Sequence, residues 1–228
     1  MKKLSKKLIA FALVLVMTVT AGAVIPQGMV EVQAASGRVY VNPYSATVVT
    51  YKPGSALSRF SSVISIMGCS KAKEIKNLKS SNKDIKVAPR DGYIRVEFGK
   101  KAAKSTITCT VKGVKLKTTL TVKKYSNPCK TFKIGKTKLT SKFNKIDVLR
   151  TNKAFKKQKL DIKLKNGWKI SSVHVTSGTG SYNNYRVNKS SFSKKITVSN
   201  NYGYIYVYCY NEKTKVSECL QINTSTRY

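Results

Sequence analysis

The stretch Tyr202-Gly203-Tyr204-Ile205-Tyr206-Val207-Tyr208-Cys209-Tyr210 decides the fold class. Tyrosine stands at every second position, with Gly203, Ile205, Val207 and Cys209 between. A period of two belongs to a β-strand, whose successive side chains point to opposite faces. The apolar set is the natural inward face. Tyr202, Tyr204, Tyr206, Tyr208 and Tyr210 then form an aromatic ladder on the outward one.

The same rhythm recurs along the chain. Arg38–Asn42, Ile94–Phe98, Thr106–Val111, Leu116–Val122, Leu160–Leu164 and Lys195–Val198 all alternate apolar with polar residues. Turns rich in Gly, Asn, Pro and Lys separate them, as in a chain of many short strands. No long stretch carries a helical period; Ala56–Ser61 and Thr151–Lys157 are expected to form single helical turns. Lys123-Lys124-Tyr125-Ser126-Asn127-Pro128-Cys129 interrupts the strands, because Asn127-Pro128 is a turn signal and Pro128 has no N–H to give a ladder. The expectation is an all-β chain of two tandem immunoglobulin-like β-sandwich domains, 36–124 and 125–228, each about the size of one such sandwich.

The N-terminus predicts export. Lys2, Lys3, Lys6 and Lys7 precede an apolar run from Leu8 to Ile25, then Pro26 and a polar stretch ending Val32-Gln33-Ala34-Ala35. This is the build of a signal peptide over residues 1–34, with small side chains at Val32 and Ala34 before the cut. Retention as an anchor helix is the other reading, since the run is near the lower length limit for a span. No second apolar segment follows, and no LPxTG-like sorting signal precedes the polar Thr224–Tyr228. The expected location is secreted or at the cell envelope, touching membrane only through the signal segment.

Charge bounds the partners. The chain carries 44 Lys and Arg against 9 Asp and Glu, a formal net charge of +35. Removal of Lys2, Lys3, Lys6, Lys7 and Glu31 with the signal segment takes +35 to +32. Such a surface attracts polyanions, and lysines also keep sheet edges soluble. Seven of the basic residues are Arg and the rest Lys. Lysine is a mobile point charge rather than a bidentate fork, so nucleic acid would be held without sequence preference. The partners expected are an anionic polysaccharide or cell-wall polymer, or another surface protein, and no specific nucleic acid.

Ser80-Ser81-Asn82, then Ile85-Lys86-Val87, Gly92-Tyr93-Ile94-Arg95-Val96, Ala102–Thr108, Lys112-Gly113 and Leu120-Thr121-Val122 resemble the second half of a bacterial Ig-like domain of group 2. That family reads W-x-S-S-N, V-A-x-V, G-x-V-x-A, A-G-x-A-x-I-T and a closing T-V-x-V strand. The likeness covers roughly residues 76–124. Leu78 stands where the family has Trp, Ala103 where it has Gly and Ser105 where it has Ala. The resemblance implies a surface spacer, adhesin or accessory binding module with no catalytic residues to carry over.

Catalytic constellations are lacking in the pattern. After residue 34 the acids are Glu74, Asp84, Asp91, Glu97, Asp147, Asp161, Glu212 and Glu218, scattered beside turns and lysines, with no pair set for acid–base work. His174, the one histidine, lies in Val173-His174-Val175 and is expected to face solvent rather than to activate a thiol. No CxxC occurs, so no zinc site is expected, and the Gly178-Thr179-Gly180 loop opens no helix, so no phosphate cradle and no cofactor are expected. Export permits disulfides. Cys109 shares the inward face of its strand and is expected to meet Cys69, while Cys129 is expected to pair with Cys219; Cys209 falls in the core set.

Two features suit recognition. The tyrosine ladder offers rings to a sugar or a protein, or else stabilises the sheet, or lies beneath the neighbouring domain. The loop Ser177–Tyr185, with Tyr182 and Tyr185, has the Gly/Ser/Asn/Tyr composition of binding loops, and also that of an ordinary connection. Trp168 reads as a core or rim residue. The function expected is a non-catalytic adhesion or carbohydrate-binding module at the cell surface; the alternative is a structural spacer or interaction subunit of a surface assembly.

Overall fold

The structure is a computed structural model and describes residues 39–178 and 180–224. The expected signal segment, residues 1–34, lies outside the described residues.

The first sandwich is built from β1 (Tyr40–Val41), β2 (Val48–Tyr51), β3 (Arg59–Met67), β4 (Ile75–Ser80), β5 (Ile85–Arg90), β6 (Tyr93–Gly99), β7 (Ala103–Val111) and β8 (Val114–Lys124). They form two four-stranded sheets, β1-β3-β6-β5 and β2-β8-β7-β4. The first strand pairs antiparallel in one sheet, and β2 then crosses to run parallel to the last strand of the other. That strand switch, with consecutive strands dealt between two faces, is the Greek-key arrangement of an immunoglobulin-like sandwich.

Local chemistry sets the register. The β7–β8 hairpin turns on Lys112-Gly113, both at positive φ (48° and 82°), the two-residue turn whose twist matches the flanking strands. Ile107, Cys109 and Val111 of β7 then point inward with Leu116, Leu120 and Val122 of β8. Pro89 sits in β5, an edge strand, where its missing N–H costs no ladder bond.

The residues that carry the family resemblance are structural. Ser80 and Ser81 share the Ser105 hydroxyl at 2.8 and 3.4 Å, and the Asn82 amide donates to the Lys104 carbonyl at 3.1 Å. This knot ties the β4–β5 crossover to β7. Ser105 is 1% exposed, and its bond to Ser80 satisfies the hydroxyl that replaces the family's alanine. Leu78 packs on the first core from the position of the family's tryptophan.

The second sandwich comprises β9 (Cys129–Ile134), β10 (Thr137–Lys138), β11 (Val148–Arg150), β12 (Phe155–Leu164), β13 (Trp168–Thr176), β14 (Tyr182–Lys189), β15 (Ser191–Val198), β16 (Tyr204–Asn211) and β17 (Val216–Asn223). Its sheets are β10-β9-β12-β15 and β11-β17-β16-β13-β14. Again an early strand, β11, runs parallel to the last, β17. The chain is therefore all-β, two tandem immunoglobulin-like sandwiches. Their buried clusters share no residue: one spans Val39 to Val122, the other Tyr125 to Ile222.

The two expected helical turns are not formed. Residues 56–58 are irregular and Arg59 already opens β3, so that Phe60 stacks on Phe98 with ring centroids 5.9 Å apart. Residues 151–154 are likewise irregular, and Phe155 is a buried strand residue. Short 3-10 turns lie instead at Ala72–Glu74 and Thr140–Phe143. Phe143 is fully buried against Phe132, so core packing, not propensity, places the latter turn.

A polar knot joins the sandwiches. Lys52, just past β2, reaches Glu218 on β17 at 2.9 Å and Asp147 at 3.2 Å. Thr50 donates to Glu218 at 2.5 Å, and the Lys52 ammonium lies 5.3 Å from the centre of the Tyr125 ring. The Glu218 side chain is only 2% exposed. Burial raises its carboxyl above the usual range, against the opposing pull of Lys52.

Candidate functional site

Strand β16 presents Ile205, Val207 and Cys209 to the core, as its alternation requires, and Gly203 just before it is buried as well. Tyr204, Tyr206 and Tyr208 stand on the other face. Tyr204 and Tyr206 stack at 5.9 Å, and Tyr206 and Tyr208 at 6.3 Å, with interplanar angles of 17° and 22°. The strip continues sideways. His174 on β13 lies 5.0 Å from Tyr208 and 5.7 Å from Tyr182 on β14, and its Nδ1 is hydrogen-bonded to the Tyr182 hydroxyl at 3.1 Å. Five rings thus run without a break across three neighbouring strands.

Polar groups frame them. In register across the sheet lie Asn184, His174, Tyr206 and Gln221, then Arg186, Ser172, Tyr208 and Cys219. The Gln221 amide donates to the Tyr206 hydroxyl at 3.3 Å and to Asn223 at 2.6 Å. Beside the strip is a groove of roughly 460 Å³ lined by Ser172, His174, Asn184, Arg186, Asn188 and Tyr210. No carboxylate stands at these positions. In a chain of net charge +35, this face is nearly neutral and rich in rings, amides and hydroxyls. Such a surface can stack on a sugar ring and bond its hydroxyls. Partial burial raises Tyr206 and Tyr208 above the ordinary phenol range.

The structure places the expected residues unequally. Tyr204, Tyr206, Tyr208 and Tyr182 come together. Tyr210 sits at the groove end, its hydroxyl donating to Asn188 at 3.0 Å. Tyr202 leaves the ladder, because it precedes β16 in a turn at φ 56°. Tyr185 does not join the strip: on β14 it pairs with inward Val173, and its ring meets Phe192 at 5.3 Å on the core side. Sequence reasoning missed His174 as a member, since alternation put it on the outer face but not beside a ring. Trp168 packs partly buried on the second core.

The cysteine pairs require correction. Cys69, Cys109, Cys129, Cys209 and Cys219 are all free thiols in the structure. Cys219 is opposite Tyr208 on the outer face of β17, whereas Cys129 is buried in the core, so the sheet itself separates that expected pair. The core cysteine whose charge would bear on Cys209 is Cys129. Burial pushes the Cys109 and Cys219 thiols up to about 11 and Cys129 to about 12, far from the thiolate form a nucleophile needs. His174 bonds Tyr182 rather than a thiol.

Among the described residues, no three His, Cys, Asp or Glu side chains stand close enough to hold a metal. A cleft of roughly 820 Å³ lies between the sandwiches and is lined by Gly54, Leu57, Phe60, Ile146 and Val148 among others. Its charged members are Lys52, Arg59, Asp147 and Arg150, of which Lys52 and Asp147 form an ion pair at 3.2 Å.

No protein-family model matches the chain, and no curated protein matches it. Among solved structures it is similar to the fibronectin(III)-like modules of Clostridium thermocellum CbhA, at 14% identity over 86% of this chain and 93% of that one, TM-score 0.28. It is also similar to the titin Ig tandem A164-A165, at 10% identity over 82% and 96%, TM-score 0.29. Human protocadherin-24 EC1-2 is matched at 10% identity over 84% and 98%, TM-score 0.29. Among the described residues no helix is long and apolar enough to cross a membrane.

Proposed function

We propose that the chain is an exported, non-catalytic binding module of the cell surface, and that its aromatic sheet face holds sugar rings of an anionic cell-wall or host polysaccharide. The observation that carries this reading is the unbroken run of rings Tyr204, Tyr206, Tyr208, His174 and Tyr182 over a polar groove. Two supports are independent of it. The leader sequence favours export, and the lysine-rich composition favours an anionic partner. The group 2 bacterial Ig-like resemblance over residues 76–124 suits the same role.

The test is binding of the purified protein and of Tyr204→Ala and Tyr206→Ala to a panel of neutral and anionic glycans and isolated wall material. Each ring truncation is expected to weaken binding by roughly tenfold, the scale of one lost aromatic contact, with unchanged circular dichroism. Unchanged binding in both variants would remove the face from the site.

A second reading, a spacer that docks on another surface protein, is favoured by the Lys52–Glu218–Asp147 knot, which suits a fixed two-domain rod. It expects binding to a protein partner and none to the glycans.

A further inference from the structure

The other large outer face has the opposite character. On β7, buried Ser105, Ile107, Cys109 and Val111 leave Lys104, Thr106, Thr108 and Thr110 facing out. On β8, Leu116, Thr118 and Leu120 point inward and Lys115, Lys117, Thr119 and Thr121 outward. Strand β4 adds Lys76 opposite Thr110 and Lys79 opposite Thr108. Across the sheet the rows read Lys76, Thr110, Lys115 and Lys79, Thr108, Lys117; Thr106 faces Thr119, and Lys104 faces Thr121.

The face is thus five lysines and five threonines with no carboxylate at any register position. None of the five lysines makes an ion pair among the described residues. Glu74, in the turn before β4, is held by Lys112 and the Ser70 amide. The threonine between each lysine pair keeps like charges from direct opposition, which would cost stability. Two interstrand spacings still leave paired lysines only about 10 Å apart, near one Debye length at 0.1 M salt, so their fields add.

We propose that this β4-β7-β8 face is a binding site for a linear phosphodiester polymer of the envelope, laid over the four-lysine box around Thr108 and Thr110. The inference deepens the proposed function and rests on its export and anionic-partner terms, but not on the tyrosine face. Charge complementarity argues for the occupant, and the chemistry of the face narrows it. There is no ring to stack on a sugar and no arginine fork to fix one carboxylate in a single pose. Ammonium and hydroxyl donors repeated along a flat sheet suit the repeated oxygens of a phosphodiester backbone. The outer face of the β10-β9-β12-β15 sheet, also rich in lysine, is broken at its centre by Asp161, which holds Lys133 at 3.1 Å.

The experiment measures binding of the full chain to synthetic poly(glycerol phosphate) across a salt series. Two variants are compared. One replaces Lys76, Lys79, Lys104, Lys115 and Lys117 by Gln; the other replaces Lys138, Lys156, Lys159, Lys163 and Lys195, the same change in net charge at another surface. Five contacts predict roughly a 100-fold loss of wild-type affinity between 50 and 200 mM salt. The first variant is expected to lose most of the low-salt affinity and flatten that slope, and the second to stay within roughly threefold of wild type. Equal losses in both variants would mean net charge alone and overturn the site. A sulfated polysaccharide bound more tightly, and lost in the first variant, would overturn the phosphodiester occupant. Tyr206→Ala is included as a third arm. Its retention of polymer binding is expected here, whereas its loss of glycan binding bears on the tyrosine face, so the two proposals fail separately.

Discussion

Glu218 carries the sharpest consequence of a single side chain. A carboxyl raised by burial is protonated more readily in the folded chain than in the unfolded one. The folded state therefore binds more protons between the ordinary value of 4.5 and the raised folded value, and stability falls as pH rises through that window. Glu218→Gln is expected to remove this fall, seen as a flatter plot of denaturant midpoint against pH than in wild type. Lys52→Met strips the partner from a nearly buried carboxylate and is expected to destabilise by about 3 kcal/mol at neutral pH, much of it regained in Lys52→Met with Glu218→Met. Urea unfolding of the single and double variants checks this. None of the junction was legible in the sequence, because Thr50, Lys52, Asp147 and Glu218 are far apart in the chain and only the docking of two sandwiches brings them together. The Cys129–Cys219 pairing was misread for a related reason. Alternation tells which face of its own strand a thiol takes, as it did for Cys109 and Cys219, but not which strand lies opposite.

At the scale of the element, β16 shows how far a period of two carries. Its inward and outward sets were readable residue by residue, since strand geometry leaves no other choice. Where the strand starts was not. Tyr202 continues the written pattern yet turns away, because Gly203 sits where the chain passes close to Val198, Ser199 and Thr224. A Cβ on Gly203 would fall 2.4 Å from Val198 Cγ1 and 2.7 Å from the Ser199 carbonyl. Gly203→Ala is expected to cost roughly 1–3 kcal/mol, the range for overpacking, and to disturb the Tyr204 end of the strip first. Thermal unfolding together with the ring-proton shifts of Tyr204 and Tyr208 measures both effects. The segment Ser177–Tyr185 was recognised by composition, but Tyr182 and Tyr185 both belong to β14 rather than to a loop. Pairing with Val173 turns the Tyr185 ring toward Phe192.

Across the whole molecule, charge and aromaticity are kept apart. The β4-β7-β8 face of the first sandwich holds lysine and threonine; the β13-β14-β16 face of the second holds tyrosine, histidine and amides. Composition announced both ingredients, yet only the register shows that they occupy different sheets. The separation assigns each face its own behaviour toward salt. Contacts made by exposed lysines weaken as ions screen them, whereas ring stacking persists. The most direct test of the central claim is to follow the tyrosine ring protons by NMR while a wall or host polysaccharide is added at high salt. The account predicts that Tyr182, Tyr204, Tyr206 and Tyr208 shift together and saturate, while Tyr185 and Tyr202 stay still. Saturable binding that leaves those four rings unmoved would contradict it.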